Sequence, residues 1–286
     1  MMNSYQKEVW DKFQNYRPEP TYPVYPPYHT GPYLEDYFFR RFLEEDADLD
    51  RIFIPVGWTT CYIEGKTDGL RTLLDTLDPT KKYFTVSQHD DAIKETLPPD
   101  TLCFNAGGNG GGIPIPLICS PIPKTSIPYY RPDIMGSFVG SITHPVRANM
   151  MISLNGNPDY VIRSKRWTDS VSNAELQTFI EITARSIFCL CPRGYGKSSF
   201  RLYESLQIGA IPVYIHKDPW IPFTDELDWS EFAVLIPDEN IMQLNTILSA
   251  ITGNPERVKS MQKRGAEVWQ SHFSLPGLYN QVIKRL

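Results

Sequence analysis

Long apolar runs are missing from this sequence: no stretch approaches the roughly 20 residues that span a bilayer. Met1 to Pro20 is polar and aromatic, without the apolar centre of a signal peptide, so a cytoplasmic protein is expected. Cysteine is scarce. Five are scattered at Cys61, Cys103, Cys119, Cys189 and Cys191, an odd number in 286 residues. A disulfide framework would be denser and even, so reduced thiols are expected. Cys189 and Cys191 have one residue between them rather than the two of a redox or zinc motif. Basic excess is also absent. Lys and Arg total 28 against 33 Asp and Glu, a net charge of −5, whereas a chain that coats DNA or RNA is usually basic. There is no internal repeat and no low-complexity tail.

What remains is ordinary globular composition, 41% hydrophobic and 21% charged, long enough for about two domains. Residues 1–32 are rich in Pro and Tyr and read as extended, because proline cannot donate to a ladder and restrains its predecessor. Tyr33–Glu45 has the spacing of a helix, Arg51–Val56 is a short buried strand, and residues 66–77 suggest a helix with Leu70, Leu73, Leu74 and Leu77 inward. Tyr83–Gln88 and Thr101–Ala106 are further strands, and Ile113–Ile118, with Pro114 and Pro116, fits only an edge. Prolines at 121, 123, 128 and 132 mark a linker, with a boundary near 134. The alternation then repeats. Strands are expected at Ile134–Gly140, Tyr160–Ile162, Ile187–Cys191, Ile211–Ile215 and Ala233–Ile236. Helices are expected near 145–153, 173–185, 198–208, 240–251, 255–270 and 276–285. Strand–helix alternation in two halves predicts an α/β fold of two Rossmann-like lobes, 1–133 and 134–275, facing a central cleft. Ligands in such sheets bind beyond the carboxyl ends of the strands.

The chemistry concentrates in Phe188–Ile215, F-C-L-C-P-R-G-Y-G-K-S-S-F-R-L-Y-E-S-L-Q-I-G-A-I-P-V-Y-I. A strand runs into a turn of Gly, Lys and Ser, then a helix, a glycine stop and a second strand. Backbone N–H groups at a helix N-terminus favour an anion, and Arg193 and Lys197 add positive charge to the turn. Arg201 and Glu204 are three apart and share one helical face. Gly196-Lys197-Ser198 supplies the end of a phosphate-binding P-loop, but the first glycine of that motif would fall on Cys191. Two readings stay open: an exposed Arg201–Glu204 ion pair of little worth, or a nucleotide-diphosphate pocket in which arginine holds phosphate and glutamate accepts from ribose hydroxyls. Gly107–Gly112 is glycine-rich, but prolines rather than a helix follow it. It reads as a mobile loop lining the cleft or a plain connector.

At this point the sequence resembles the exostosin-type glycosyltransferases of the GT-B fold. The resemblance rests on F-C-L-x-P-x-G, then S-F-R-x-x-E-S-L-Q and I-P-V. Asp218-Pro219-Trp220-Ile221-Pro222-Phe223 with Asp228-Trp229, Phe138-Val139-Gly140-Ser141 with His144-Pro145 and Arg147, and Tyr83–Asp90 are similar to further family segments. It covers about residues 50–275 and is strong only after 134. The family often has Asp-His where Lys82-Tyr83 stands, so no role carries over to that pair.

The resemblance implies an inverting transfer from a nucleotide sugar, UDP-linked, to a glycan acceptor. Arg193, Gly194, Ser199, Arg201 and Glu204, with Lys197 and Ser198 in the same turn, would contact the donor. Gly140, Ser141 and Arg147 would border its diphosphate. A GDP-fucose enzyme of this fold usually has lysine where Arg201 stands, and a catalytically inactive binding module is the other alternative. Such a transfer needs a base for the acceptor hydroxyl. Asp90 or Asp91, at a strand end of the first lobe, leads, with His89 to orient it; His29 and Glu35 are weaker candidates. Trp58, Tyr62, Trp220 and Trp229 are candidates to stack on rings, Trp58 on the acceptor side and Trp229 more suited to the core. Asp46-Ala47-Asp48 and Asp48-Leu49-Asp50 have metal-chelating spacing but sit in a solvated acidic connection. No metal or obligatory cofactor is expected, a divalent cation at most stimulating. The final helix, with Gly277, Leu278, Val282 and Ile283, is of the kind that crosses back to the first lobe. Xylose is one donor sugar among several, and a monomer is favoured.

Overall fold

The computed structural model describes residues 2–19, 33–46, 48–118, 121–168 and 171–286. His29 and Cys119, the prolines and tyrosines of 20–28, and Ala47 of the acidic connection therefore lie outside the described residues. The first lobe opens with α1 (Ser4–Lys12), α2 (Leu34–Glu45), β1 (Ile52–Phe53), α3 (Trp58–Ile63) and α4 (Leu70–Leu74). Strands β2 (Tyr83–Ser87), β3 (Leu102–Asn105) and β4 (Ile113–Pro114) complete a parallel sheet in the order β1-β2-β3-β4.

Three elements here differ from the sequence reading. Ser4–Lys12 is helical, not extended. Its prolines begin only at Pro18, the Asn3 side chain caps Gln6 N–H at 2.8 Å, and Val9 is fully buried. Gln6 then bonds both backbone groups of Phe53, which fastens α1 along β1. The chain after Gly57 forms α3, a helix that the sequence reading did not place, and the helix expected over 66–77 is confined to α4.

The second lobe contains β5 (Ile134–Ser141), α5 (Pro145–Ser153), β6 (Tyr160–Lys165), α6 (Asn173–Ala184), β7 (Ser186–Pro192), α7 (Phe200–Ile208), β8 (Ile211–His216) and β9 (Val234–Pro237). Its sheet is wholly parallel in the order β6-β5-β7-β8-β9. Helices cover both faces, which is why β7 reads as an unbroken apolar run. The order reverses between β5 and β7, so their carboxyl ends frame a switch-point crevice.

Helices α8 (Leu244–Thr252), α9 (Pro255–Val268) and α10 (Leu275–Ile283) close the chain. Tyr279 of α10 packs at a tilt against Phe38 of α2, with ring centroids 4.7 Å apart. Phe38, Phe53 and Phe84 of the first lobe share one buried cluster with Tyr203, Phe273, Tyr279 and Val282, so the C-terminal helix does return to the first lobe. Two parallel α/β lobes facing a cleft and tied by a returning helix make up the GT-B architecture. The described cysteines are unpaired, and among the described residues no helix is long and apolar enough to cross a membrane.

Candidate active site between the two lobes

A cleft of about 1040 Å³ opens at the carboxyl ends of both sheets. On the second-lobe side it is lined by Gly140 and Ser141 at the end of β5, Arg147 of α5, Gly194, Ser198 and Ser199 of the turn after β7, and Arg201 and Glu204 of α7. The switch point thus gathers eight of the ten donor-side residues read from the sequence.

Arg201 decides the character of this wall. Its Nη2 donates to Val139 O at 2.6 Å, and its guanidinium lies 4.7 Å from the Phe138 ring centroid. Its buried Nε has no hydrogen-bond partner. The approach is so close that a Cβ at Gly140 would fall 2.2 Å from Arg201 Nη2, so any side chain at 140 would displace the guanidinium. Glu204, one turn on, is buried at 5% exposure, which removes the exposed surface-pair reading. Helix α7 has no side-chain cap and no acid in its first turn, leaving its positive end to the cleft. Arg147 is buried and holds the turn by donating to Arg193 O at 3.1 Å and to Ser141 O at 2.6 Å.

Arg193 and Lys197 stand elsewhere. Neither lines the cleft. Arg193 reaches Asn109 Oδ1 and Tyr195 O, and Lys197 pairs with Asp218 at 3.7 Å. The N–H groups of Lys197 and Ser198 both point to Gly107 O, at 2.8 and 3.4 Å, so these two amides are not open to an anion. The glycine stretch 107–112 is accordingly neither a cleft lining nor a plain connector. Gly107 docks on the α7 turn, and Trp220 Nε1 donates to Asn105 O at 3.0 Å beside it, joining the lobes at this end.

The facing wall comes from the end of β2. Gln88, His89, Asp90 and Asp91 all line the cleft. Asp90 presses on the turn after β7: a Cβ on Gly196 would fall 2.2 Å from Asp90 Oδ1. Burial, then the charge of Asp91, raises Asp90 to about 6, against the pull of Arg193. Asp91 differs. Slight burial raises it, but hydrogen bonds from Tyr195, Asn109 and Lys94 outweigh this and hold it below the usual range. His89 is lowered by burial and by Lys94; its Nδ1 accepts from Asp91 N–H at 3.2 Å.

Glu35 is not in the cleft lining. Its carboxylate accepts from Gln88 N at 2.7 Å, Thr59 N at 3.1 Å and Thr59 Oγ1 at 2.8 Å, and burial pushes it up to about 7. With Gln88 Oε1 accepting from Leu34 N, it knots α2, α3 and β2 together behind His89–Asp91.

The aromatic candidates are largely core. Trp58 is fully buried and donates to Thr85 Oγ1 at 2.8 Å, so it offers no face to an acceptor; α3 turns it inward. Trp229 is buried and donates to Pro222 O. Tyr62 packs edge-on against His89. Of the aromatic residues lining the cleft, Tyr195, at 61% exposure, and Trp167, at 54%, are exposed. Sequence reading missed both, along with Thr143, whose buried Oγ1 has no partner. Only their polar, turn-like surroundings signalled exposure. Among the described residues, no three His, Cys, Asp or Glu side chains group to hold a metal.

The chain is similar to several plant proteins. It is 35% identical over 112 residues to "Probable glucuronosyltransferase GUT1" of Oryza sativa subsp. japonica, 39% of this chain and 25% of that one. It is 32% identical over 148 residues to "Probable glycosyltransferase At5g03795" of Arabidopsis thaliana, 52% and 27%. It is 40% identical over 81 residues to "Probable beta-1,4-xylosyltransferase IRX10" of the same plant, 28% and 20%. The chain thus spans about a quarter of the length of these relatives. Among solved structures it is similar to the pneumococcal O-GlcNAc transferase GtfA, with 13% identity and a TM-score of 0.41, over 77% of this chain and 47% of that one. Residues 112–251 match the family described as the Exostosin GT47 domain. That segment, just under half of the chain, holds the switch point, α7 and the second-lobe wall, and it is there that the chain is similar to the exostosin-type glycosyltransferases.

Proposed function

We propose that the protein is an inverting glycosyltransferase that moves a sugar from a UDP-sugar to a glycan hydroxyl. One observation carries this reading. Across a single cleft, an arginine with an unpartnered Nε at a helix N-terminus faces a desolvated carboxylate on the other lobe. In this reading the diphosphate lies at the switch point, against Arg201, Arg147 and the open end of α7, and Glu204 accepts from the ribose. Asp90 is the base. The acceptor oxygen attacks the anomeric carbon opposite the diphosphate. The new C–O bond forms as the old one breaks, the bonding pair leaves with UDP, and the hydroxyl proton passes to Asp90. With its carboxyl near 6, Asp90 is largely ionised at neutral pH yet more basic than an exposed aspartate, which suits proton transfer. Charge developing on the departing UDP is met by preorganised donors.

The relatives' names, glucuronosyltransferase and xylosyltransferase, support UDP-xylose as the first donor to try and UDP-glucuronic acid as the second. The test begins with thermal shifts under UDP, GDP, ADP and CMP, since a ligand at 100 times its Kd adds about 2.7 kcal/mol to the folded state. UDP should raise the melting temperature and the others should not. Release of UDP from one UDP-sugar in the presence of glycan acceptors should follow. Stabilisation by GDP alone would transfer the reading to a GDP-sugar enzyme; UDP binding without turnover on any sugar would leave an inactive binding module.

A further inference from the structure

The turn after β7 holds one residue whose placement packing does not explain. Tyr195 O accepts from Arg193 Nη2 at 2.9 Å and from Asn109 Nδ2 at 3.2 Å, so its main chain is fixed at the junction of the lobes. The next residue, Gly196, is pressed against Asp90. Yet the Tyr195 ring is 61% exposed, lines the cleft and, among the described residues, has no aromatic partner. A tyrosine retained for packing would bury its ring. The phenol faces Asp91, and interaction with that carboxylate raises it. The ring thus stands on a fixed main chain with its faces open to the cleft, next to the carboxylate assigned above as the base.

An open, fixed aromatic face suits the C–H face of a sugar ring, and few polar groups are then needed to orient it. We propose that Tyr195 is the stacking platform for the terminal sugar of the acceptor, holding its hydroxyl towards Asp90. The acceptor is favoured over the donor because the phenol faces Asp91 of the first lobe and Asn109 of the same lobe holds the Tyr195 carbonyl, whereas the donor's groups face β5 and α7. Two adjacent carboxylates make a uronate unwelcome there, so the ring is a neutral pyranose. This assignment rests on the transferase reading for the role of Asp90.

The test uses the whole chain with UDP present. Immobilised neutral and uronate oligosaccharides are probed with the wild type, Tyr195→Ala, Tyr195→Phe and Tyr195→Trp, and UDP affinity is measured in parallel by calorimetry. The wild type should retain a neutral oligosaccharide, and Tyr195→Ala should weaken it roughly 3- to 10-fold, the scale of one aromatic contact. Phe and Trp should keep most of the binding, and UDP affinity should stay within about twofold throughout. Unchanged glycan retention by Tyr195→Ala would overturn the proposal. So would a parallel loss of UDP affinity, or a wild type that binds UDP but no glycan. Failure of the wild type to bind UDP would instead remove the transferase reading.

Discussion

The two lobes meet in one cleft but are held together differently. In the second, β5 runs for eight residues and β7 for seven, with the register between β5 and β6 unbroken from Gly136 to Ser141. In the first, β1 and β4 have two residues each, so the ladder contributes little. Buried polar side chains do that work instead: Gln6 on Phe53, Trp58 on Thr85, and Glu35 on Thr59 and Gln88. A sheet wall places its cleft-lining groups by backbone register. A clamped wall places Asp90 by a few side chains, and single substitutions should reach it.

Asp90→Asn should have the largest effect. If Asp90 is the base, transfer falls by roughly 10²- to 10⁴-fold while UDP affinity is kept. In the wild type, kcat/KM should fall as pH drops below about 6, because protonation removes the base. Residual transfer with the same pH profile in Asp90→Asn would move the base elsewhere, with Asp91 tested next.

Glu35→Ala comes second and tests the clamp. It orphans the Gln88 and Thr59 amides, which should cost about 3 kcal/mol of stability at neutral pH, read by urea unfolding. The pH dependence has a definite sign. Burial raises Glu35 from 4.5 to about 7 in the fold, against the lowering hydrogen bonds, so between these values the native state binds the proton more tightly than the unfolded chain. Stability therefore falls as pH rises from about 4.5 to 7, and Glu35→Gln should flatten that part of the curve. An identical slope in the variant would show that Glu35 is ionised throughout.

The same contrast explains what the sequence made legible. The alternation of strands and helices, the boundary between sheets and the switch-point wall are local, and a single run from Phe188 to Ile215 encodes most of that wall. The first-lobe wall is not local. Glu35, Thr59 and Gln88 meet only after α2, α3 and β2 pack, and nothing in their spacing announces it. Trp58 looked like a ring platform because it follows a strand end, but α3, a helix without a side-chain cap, turns it into the core. Arg193 and Lys197 were read by charge alone. Their direction depends on Asn109 and Asp218, far away in sequence.

Arg201→Ala probes the sheet wall and should act on binding alone. A charge-assisted contact is worth roughly 1.5–3 kcal/mol, so UDP affinity should drop about 10- to 150-fold in calorimetry. Stability should change little, since Arg201 is half-buried with a single carbonyl partner. A loss of stability without loss of UDP affinity would make it a packing residue.

Lys197→Ala is the smallest expected effect and the sharpest test of direction. By composition Lys197 belongs with Arg201, four residues along the same motif. By geometry it belongs to the lobe contact: its amide is bonded to Gly107, and its ammonium sits 3.7 Å from a half-exposed Asp218 and about 6.0 Å from the Trp220 ring. Such an exposed pair is worth at most about 1 kcal/mol. UDP affinity should therefore stay within about twofold of wild type, with at most a slight fall in melting temperature. A tenfold loss of UDP affinity would mean that the turn rearranges on binding and frees the Gly107 contact, turning the lysine towards the phosphates. The wall that looks rigid in the free protein would then be the one that moves.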